Sequence, residues 1–190
     1  MNDNNSNIEK HSVKANIAAA VRLIEDCQAC SLILPEVGTN IAMSVPHATD
    51  LEDIAALTGR IIRVEDRAVG VGAPKFGATR YLGTVLLKAI ELNANYQAVI
   101  NIKYSEQIIT ICENLDMEAR TYTWDVKPKE AIEFKCSIPY IINQLGRVPE
   151  VIYDLGDIGI EPSVTIFGSD ALDVAQKTIL IAQTLLKEIS

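Results

Sequence analysis

Histidine is nearly absent from this chain. Only His11 and His47 occur among 190 residues, and so few histidines argue for no Ser-His-Asp or Cys-His nucleophile set. His11 falls in the polar start of the chain, and His47 follows Pro46 in a loop, where exposure is the default. Aromatic residues are also scarce, at 5%. Trp124 and the six tyrosines are scattered, so they form no stripe on which nucleic-acid bases could stack. Long apolar runs are missing too: no stretch reaches the ~18 consecutive residues of a membrane span. The opening MNDNNSNIEKH lacks the apolar core of a secretory signal. A cytoplasmic location is therefore expected. Residues 1–11 read as a flexible leader or linker, and residues 12–190 as one domain long enough to bury a sizeable core.

Cysteine is sparse but patterned. Cys27 and Cys30 form a Cys-x-x-Cys pair, whereas Cys112 and Cys136 stand singly. A redox pair would sit at a strand-to-helix junction, and this one ends an apolar helix. A zinc site would need two more ligands with paired spacing. Buried, inert thiols are the expectation.

Negative charge dominates, with 25 Asp and Glu against 17 Lys and Arg, a net of −8. This disfavours non-specific nucleic-acid binding, which needs a basic face. The charge is unevenly placed, however. Residues 60–103 carry Arg60, Arg63, Arg67, Lys75, Arg80, Lys88 and Lys103 against Glu65, Asp66 and Glu91. That segment is +4 and the rest of the chain is −12. A local cationic segment on an acidic protein suits small anionic ligands.

Periodicity and punctuation predict alternating elements. Ser12 would cap a helix reaching about Cys30, with Ile17, Ala20, Val21, Ile24 and Cys27 on one stripe. SLIL (31–34) and NIAMSV (40–45) read as strands and LEDIAAL (51–57) as a short helix. RIIRV and RAVGVG read as a hairpin turning at Glu65-Asp66. A glycine-bearing loop over 70–77 then precedes a helix over 78–92. AVINIKY is an apolar strand, and Ser105 caps the helix EQIITICENL. EARTYTW is a strand, Pro128 opens a helix to about Leu145, VIYD and SVTIFG are strands, and 170–189 is a closing helix. This alternation implies an α/β layered domain with a mixed sheet flanked by helices.

Three loops could carry chemistry. GVGAPKFGATR (70–80) precedes a helix, so glycine backbone, Lys75, Thr79, Arg80 and a helix N-terminus converge as they would on a phosphate. Its spacing is neither the P-loop nor the dinucleotide fingerprint. Asn101, Lys103 and Ser105 fall where a strand hands over to a helix, the end of an open sheet at which ligands gather. The third loop, YDLGDIG (153–159), carries Asp154 and Asp157, which could share a hard cation such as magnesium. Each also has a plainer reading, as a turn, a capping loop or a pair of turn aspartates.

Five segments taken together resemble one family. LPEVGTNIAMSVPHA, DIAALTGRIIRV, GAPKFGAT, VINIKYSE and PEVIYDLGDIGIEP occur in the order found in archaeal-type thiamine-phosphate synthases, the ThiN family. The likeness covers roughly residues 31–185. It implies a transferase that couples hydroxymethylpyrimidine diphosphate with thiazole phosphate, releasing pyrophosphate, with Mg²⁺ as cofactor. It also implies small phosphorylated partners, a homodimer, and a module fused behind a hydroxymethylpyrimidine kinase. Arg60 falls on a family arginine tied to activity, and Gly77, Ala78 and Thr79 match the glycine-alanine-hydroxyl loop. Catalytic members continue with serine and histidine, whereas this chain has Arg80 and Tyr81. On this reading Arg80 would be an anion contact and Tyr81 a neutral donor. Members that only sense thiamine phosphates are the alternative, and a scaffold without ligand is a third.

Overall fold

The computed structural model describes residues 3–121 and 138–189, with side chains described from Ser6. Its frame is a sheet of seven strands: β1 (Ile41–Ser44), β2 (Ile54–Leu57), β5 (Pro74–Phe76), β6 (Ala98–Lys103), β7 (Ala119–Arg120), β8 (Val151–Asp154) and β9 (Ser163–Gly168). The spatial order is β5-β2-β1-β6-β9-β8-β7. Neighbours run antiparallel except β7 and β8, which are parallel, so the sheet is mixed as expected. A separate hairpin, β3 (Ile61–Val64) with β4 (Arg67–Gly70), turns at Glu65-Asp66.

Alternation along the strands feeds two cores. Ile41, Ala55, Leu57, Ile100, Ile102, Val151, Val164 and Ile166 face one side. They pack beneath α1 (Asp3–Asp26), α3 (Glu106–Asn114) and α5 (Ala171–Ile189). Ala42, Ile54, Ala56, Val99, Ile152 and Phe167 face the other side, beneath α2 (Tyr81–Leu92) and α4 (Ile138–Leu145). Because helices cover both faces, the strands read as nearly unbroken apolar runs.

Several elements differ from the sequence reading. SLIL is not a strand: Gln28–Ile33 forms a 3₁₀ helix, continuing the chain's local turns through Cys30 N–H to Cys27 C=O at 2.9 Å. A short apolar run carries no period that separates these states. LEDIAAL is helical for one 3₁₀ turn only, over Leu51–Asp53, where Asp50 and Asp53 cap reciprocally. Ile54–Leu57 then forms β2, buried on both faces, so tertiary burial overrides the helix preference of its two alanines. Within the glycine-bearing loop, Pro74–Phe76 adds the edge strand β5 to β2. Ser12 caps nothing, since α1 already runs from Asp3. Residues 3–11 are thus helical; once Val13 and Ile17 anchor the helix, propagation adds one bond per residue. Of the predicted strand 118–124 and helix 128–145, residues 122–137 lie outside the described residues.

Ser105 caps α3 as expected, its Oγ accepting from Ile108 N–H at 3.1 Å. Cys30 and Cys112 are buried, and burial pushes the Cys112 thiol up to about 12 and the Cys30 thiol higher still. Cys136 lies outside the described residues. No helix among the described residues is long and apolar enough to cross a membrane.

Candidate active site

On the α2 side of the sheet, the start of α2 meets the ends of the central strands around a cavity of about 460 Å³. Its lining includes Arg60, Thr79, Tyr81, Asn101 and Asp154, five residues singled out from sequence, together with Pro35, Val37, Asn40, Glu161 and Ser163.

Arg60 reaches the wall because its backbone is tied down. Its C=O accepts from Val71 N–H at 2.8 Å. Gly59 lies so close to the neighbouring strand that an added Cβ would sit 2.3 Å from the Val71 carbonyl oxygen. The guanidinium Nη1 donates to Val37 C=O at 2.9 Å. Glu161 holds the same loop from the opposite side, its Oε1 accepting from Glu36 N–H at 2.9 Å. The 35–38 loop is thus fixed between a cation and a carboxylate.

Thr79 is the working cap of α2, its Oγ1 accepting from Leu82 N–H at 3.3 Å. This leaves the hydroxyl proton to be offered elsewhere. Tyr81, 39% exposed, stands on the first turn and lines the cavity. The α2 N-terminus opens here, and its backbone amides and dipole favour an anion. The floor is polar. Asn101 Oδ1 accepts from Asn40 N–H at 2.8 Å, and Asp154 Oδ1 accepts from Gly156 N–H at 3.0 Å. Arg60, the Asp154 and Glu161 carboxylates and the start of α2 thus share one cavity, with Arg60 donating to Val37 C=O and Glu161 accepting from Val37 N–H.

The remaining sequence candidates sit elsewhere. Arg80 is exposed and does not line the cavity, so of the pair Arg80-Tyr81 it is the tyrosine that faces inward. Lys75 is exposed on edge strand β5, paired with Ala56. Gly77 makes the turn into Ala78 at φ +69°, where its N–H donates to Ile54 C=O at 3.0 Å. Lys103 ends β6 opposite Ser163, and the Ser105 hydroxyl is occupied as a cap. Asp157 is exposed, and its Oδ1 accepts from Ile158 N–H within its own loop, away from Asp154's place in the cavity. Among the described residues no group of three or more His, Cys, Asp or Glu is placed to hold a metal. Sequence reasoning missed Asn40, Glu161 and Ser163 as lining. Asn40 and Glu161 belong to segments that carry the family likeness, but neither residue type announces a site by itself.

A mixed sheet covered by helices on both faces, with a cavity at its strand ends, defines an α/β layered domain with a candidate ligand site. The model of the family described as "Thiamine-phosphate synthase ThiN" matches residues 16–180, and the chain belongs to that family. It is 32% identical over 183 residues to a bifunctional thiamine biosynthesis protein ThiDN of Methanocaldococcus jannaschii, covering 95% of this chain and 43% of that protein. It is 30% identical over 171 residues to a thiamine-phosphate synthase ThiN of Methanothermobacter thermautotrophicus, covering 87% of this chain and 90% of that protein. The chain thus spans less than half of the first relative and most of the second. Among solved structures, the C-terminal domain of a phosphomethylpyrimidine kinase superposes with TM-score 0.81 at 30% identity, covering 91% of this chain and all of that domain.

Proposed function

We propose that this chain is a thiamine-phosphate synthase, a transferase joining hydroxymethylpyrimidine diphosphate to thiazole phosphate. The observation that carries the reading is that Arg60, Tyr81 and the start of α2 line one cavity in a ThiN-family chain. In the reaction the carbon–oxygen bond to the diphosphate breaks, and pyrophosphate leaves with the electron pair. The thiazole nitrogen then bonds to the methylene carbon, whose positive charge the electron-rich aminopyrimidine stabilises. Charge builds on the departing oxygens, so the protein's task is electrostatic, with proximity supplying much of the rest. Arg60 binds those oxygens, held in orientation by Val37 C=O. The Tyr81 phenol donates to them, and Thr79 adds its hydroxyl proton.

Asp154 and Glu161 offer hard oxygen donors in the same cavity, which fits Mg²⁺, a cation that takes one or two carboxylates plus substrate oxygens. When bound, Mg²⁺ would neutralise phosphate charge. A second reading, a non-catalytic thiamine-phosphate sensor, is favoured by Tyr81 standing where the family likeness expects histidine. Incubation with both phosphorylated substrates and Mg²⁺ separates the two. The synthase reading expects thiamine phosphate to accumulate; tight binding of thiamine phosphate without its formation would instead support the sensor.

Work as a homodimer, and fusion behind a kinase domain, supported by the similar C-terminal domain of a phosphomethylpyrimidine kinase, are parts of the same proposal. Leu180, exposed midway along α5, is one support for the dimer. Sedimentation at micromolar concentration expects twice the chain mass, and a single-chain mass would remove the dimer.

A further inference from the structure

The Cys-x-x-Cys pair takes no part in the cavity, and its place in the fold differs from the sequence reading. Helix α1 stops at Asp26, so the pair does not end it. Cys27 is instead the N-cap of the 3₁₀ helix Gln28–Ile33, and Cys30 lies on that helix's first turn. The burial expected of both thiols holds for Cys30 and not for Cys27, which is half-buried.

This turn brings the two side chains together. Cys27 C=O accepts from Cys30 N–H at 2.9 Å, an i to i+3 closure. Such a closure keeps the first and last Cα within about 7 Å, and side chains three apart on a 3₁₀ turn stand over one another. A disulfide joins Cα atoms about 4.4–6.8 Å apart, so the turn is close to bridging geometry as it stands. It is also braced from outside: Gln28 Nε2 donates to Asp66 Oδ2 at 3.1 Å, and Ser31 Oγ to Gln28 C=O at 2.9 Å. The thiols already act on each other. Burial, then the charge and a hydrogen bond of Cys27, hold the Cys30 thiol above its ordinary range. With one thiol accessible and the other sealed, an oxidant meets Cys27 first.

We propose that Cys27 and Cys30 form a reversible dithiol–disulfide site, oxidised by small-molecule disulfides, whose bridge braces the join between α1 and the 3₁₀ helix. The Cys27 thiolate attacks one sulfur of the small disulfide, whose S–S bond breaks and releases one small thiolate. The Cys30 thiol yields its proton to that thiolate, and its sulfur attacks the Cys27 sulfur of the mixed disulfide. The second small thiolate leaves, the Cys27–Cys30 bond forms, and two electrons have passed from the protein to the oxidant. Once Cys27 is in the mixed disulfide its charge is gone, which removes one cause that holds Cys30 protonated. The braced join leads through Leu34 to Pro35 on the cavity wall.

Tryptic mapping isolates the pair, since the segment 23–60 contains Cys27 and Cys30 and neither Cys112 nor Cys136. The reduced full chain is incubated with oxidised glutathione, quenched in acid and mapped by mass spectrometry without reduction. Wild type should yield that segment lighter by two hydrogens and free of glutathione, and dithiothreitol should reverse the change. Labelling of Cys27 by iodoacetamide should fall at least roughly tenfold on oxidation. Cys30→Ala should retain glutathione on Cys27, and Cys27→Ala should leave Cys30 unmodified. Oxidised wild type should melt about 2–4 °C above the reduced form, a difference that Cys30→Ala should lack. The site is overturned by a glutathione adduct that persists on wild-type Cys27, by a bridge from either cysteine to Cys112 or Cys136, or by unchanged thiols. An oxidised form that melts no higher than the reduced one overturns the brace.

Discussion

Arg60 illustrates how one side chain depends on its neighbours' backbone. The Gly59 approach to Val71 sets where the strand-like segment runs, and Val37 C=O sets where the guanidinium points. Arg60→Ala should lower turnover at least roughly tenfold, about 1.4 kcal/mol of transition-state stabilisation. An unchanged rate would remove Arg60 from the site. Gly59→Ala should act on the same residue indirectly, destabilising by about 1–3 kcal/mol as the backbone shifts, read as a lower melting temperature together with lost activity. The thiols test burial. With Cys112 pushed up to about 12 and Cys30 higher, neither forms thiolate near neutrality. Mass-spectrometric mapping after brief alkylation at pH 8 should find both unmodified in folded protein; rapid labelling of either would contradict their burial. At the residue level the glycine-bearing loop before a helix pointed to Thr79 and the family likeness to Arg60 and Tyr81, and all three line the cavity. The sequence could not show that Arg80 points away from the cavity while Tyr81 faces in, since that depends on the helix's rotation against the sheet.

Among the elements, α5 shows how polar contacts register a helix on the sheet. Its buried stripe runs through Val174, Ala175, Thr178, Ile181, Ala182 and Leu185. The apolar character that suggested a dimer face from sequence is therefore largely taken up by the core. Lys177 Nζ lies 2.7 Å from Glu150, 3.2 Å from Asp173 and 3.1 Å from Phe167 C=O, joining α5 to the segment before β8 and the end of β9. Burial alone would lower its pKa, but the Glu150 and Asp173 carboxylates outweigh burial and hold it above its ordinary value. A raised folded pKa gives stability that is complete below the unfolded value and lost as pH climbs through the folded one. Chemical denaturation should thus show wild type losing its advantage over Lys177→Met above about pH 10.5, with that advantage near about 1–3 kcal/mol at pH 8. A constant difference across that range would contradict the ion pairing. Elements with strong period or caps, such as α3 behind Ser105 and the β3–β4 hairpin, were legible in the sequence. SLIL and IAAL were not, because runs of three or four apolar residues are too short to carry a period, and tertiary packing decided their state.

For the whole molecule, the relevant quantity is where charge sits. The chain is −8 overall, yet Arg60 from its +4 segment lines one cavity together with Asp154 and Glu161 from its acidic part. The segment's other cations, including Lys75, Arg80 and Lys103, do not line that cavity. Charge along the sequence marks a broad segment, and only the fold selects Arg60 from it as a cavity residue. On the proposed function, coupling occurs in this cavity, which Arg60 and Tyr81 line. The most direct measurement is the initial rate of thiamine phosphate formation by wild type, Arg60→Ala, Tyr81→Phe and Arg67→Ala at saturating substrates and Mg²⁺. Wild type should give product, Arg60→Ala should lose roughly tenfold or more and Tyr81→Phe about threefold or more, and Arg67→Ala on the exposed hairpin should keep the wild-type rate. Product formation that is indifferent to Arg60 and Tyr81, or that falls with Arg67 instead, would contradict it.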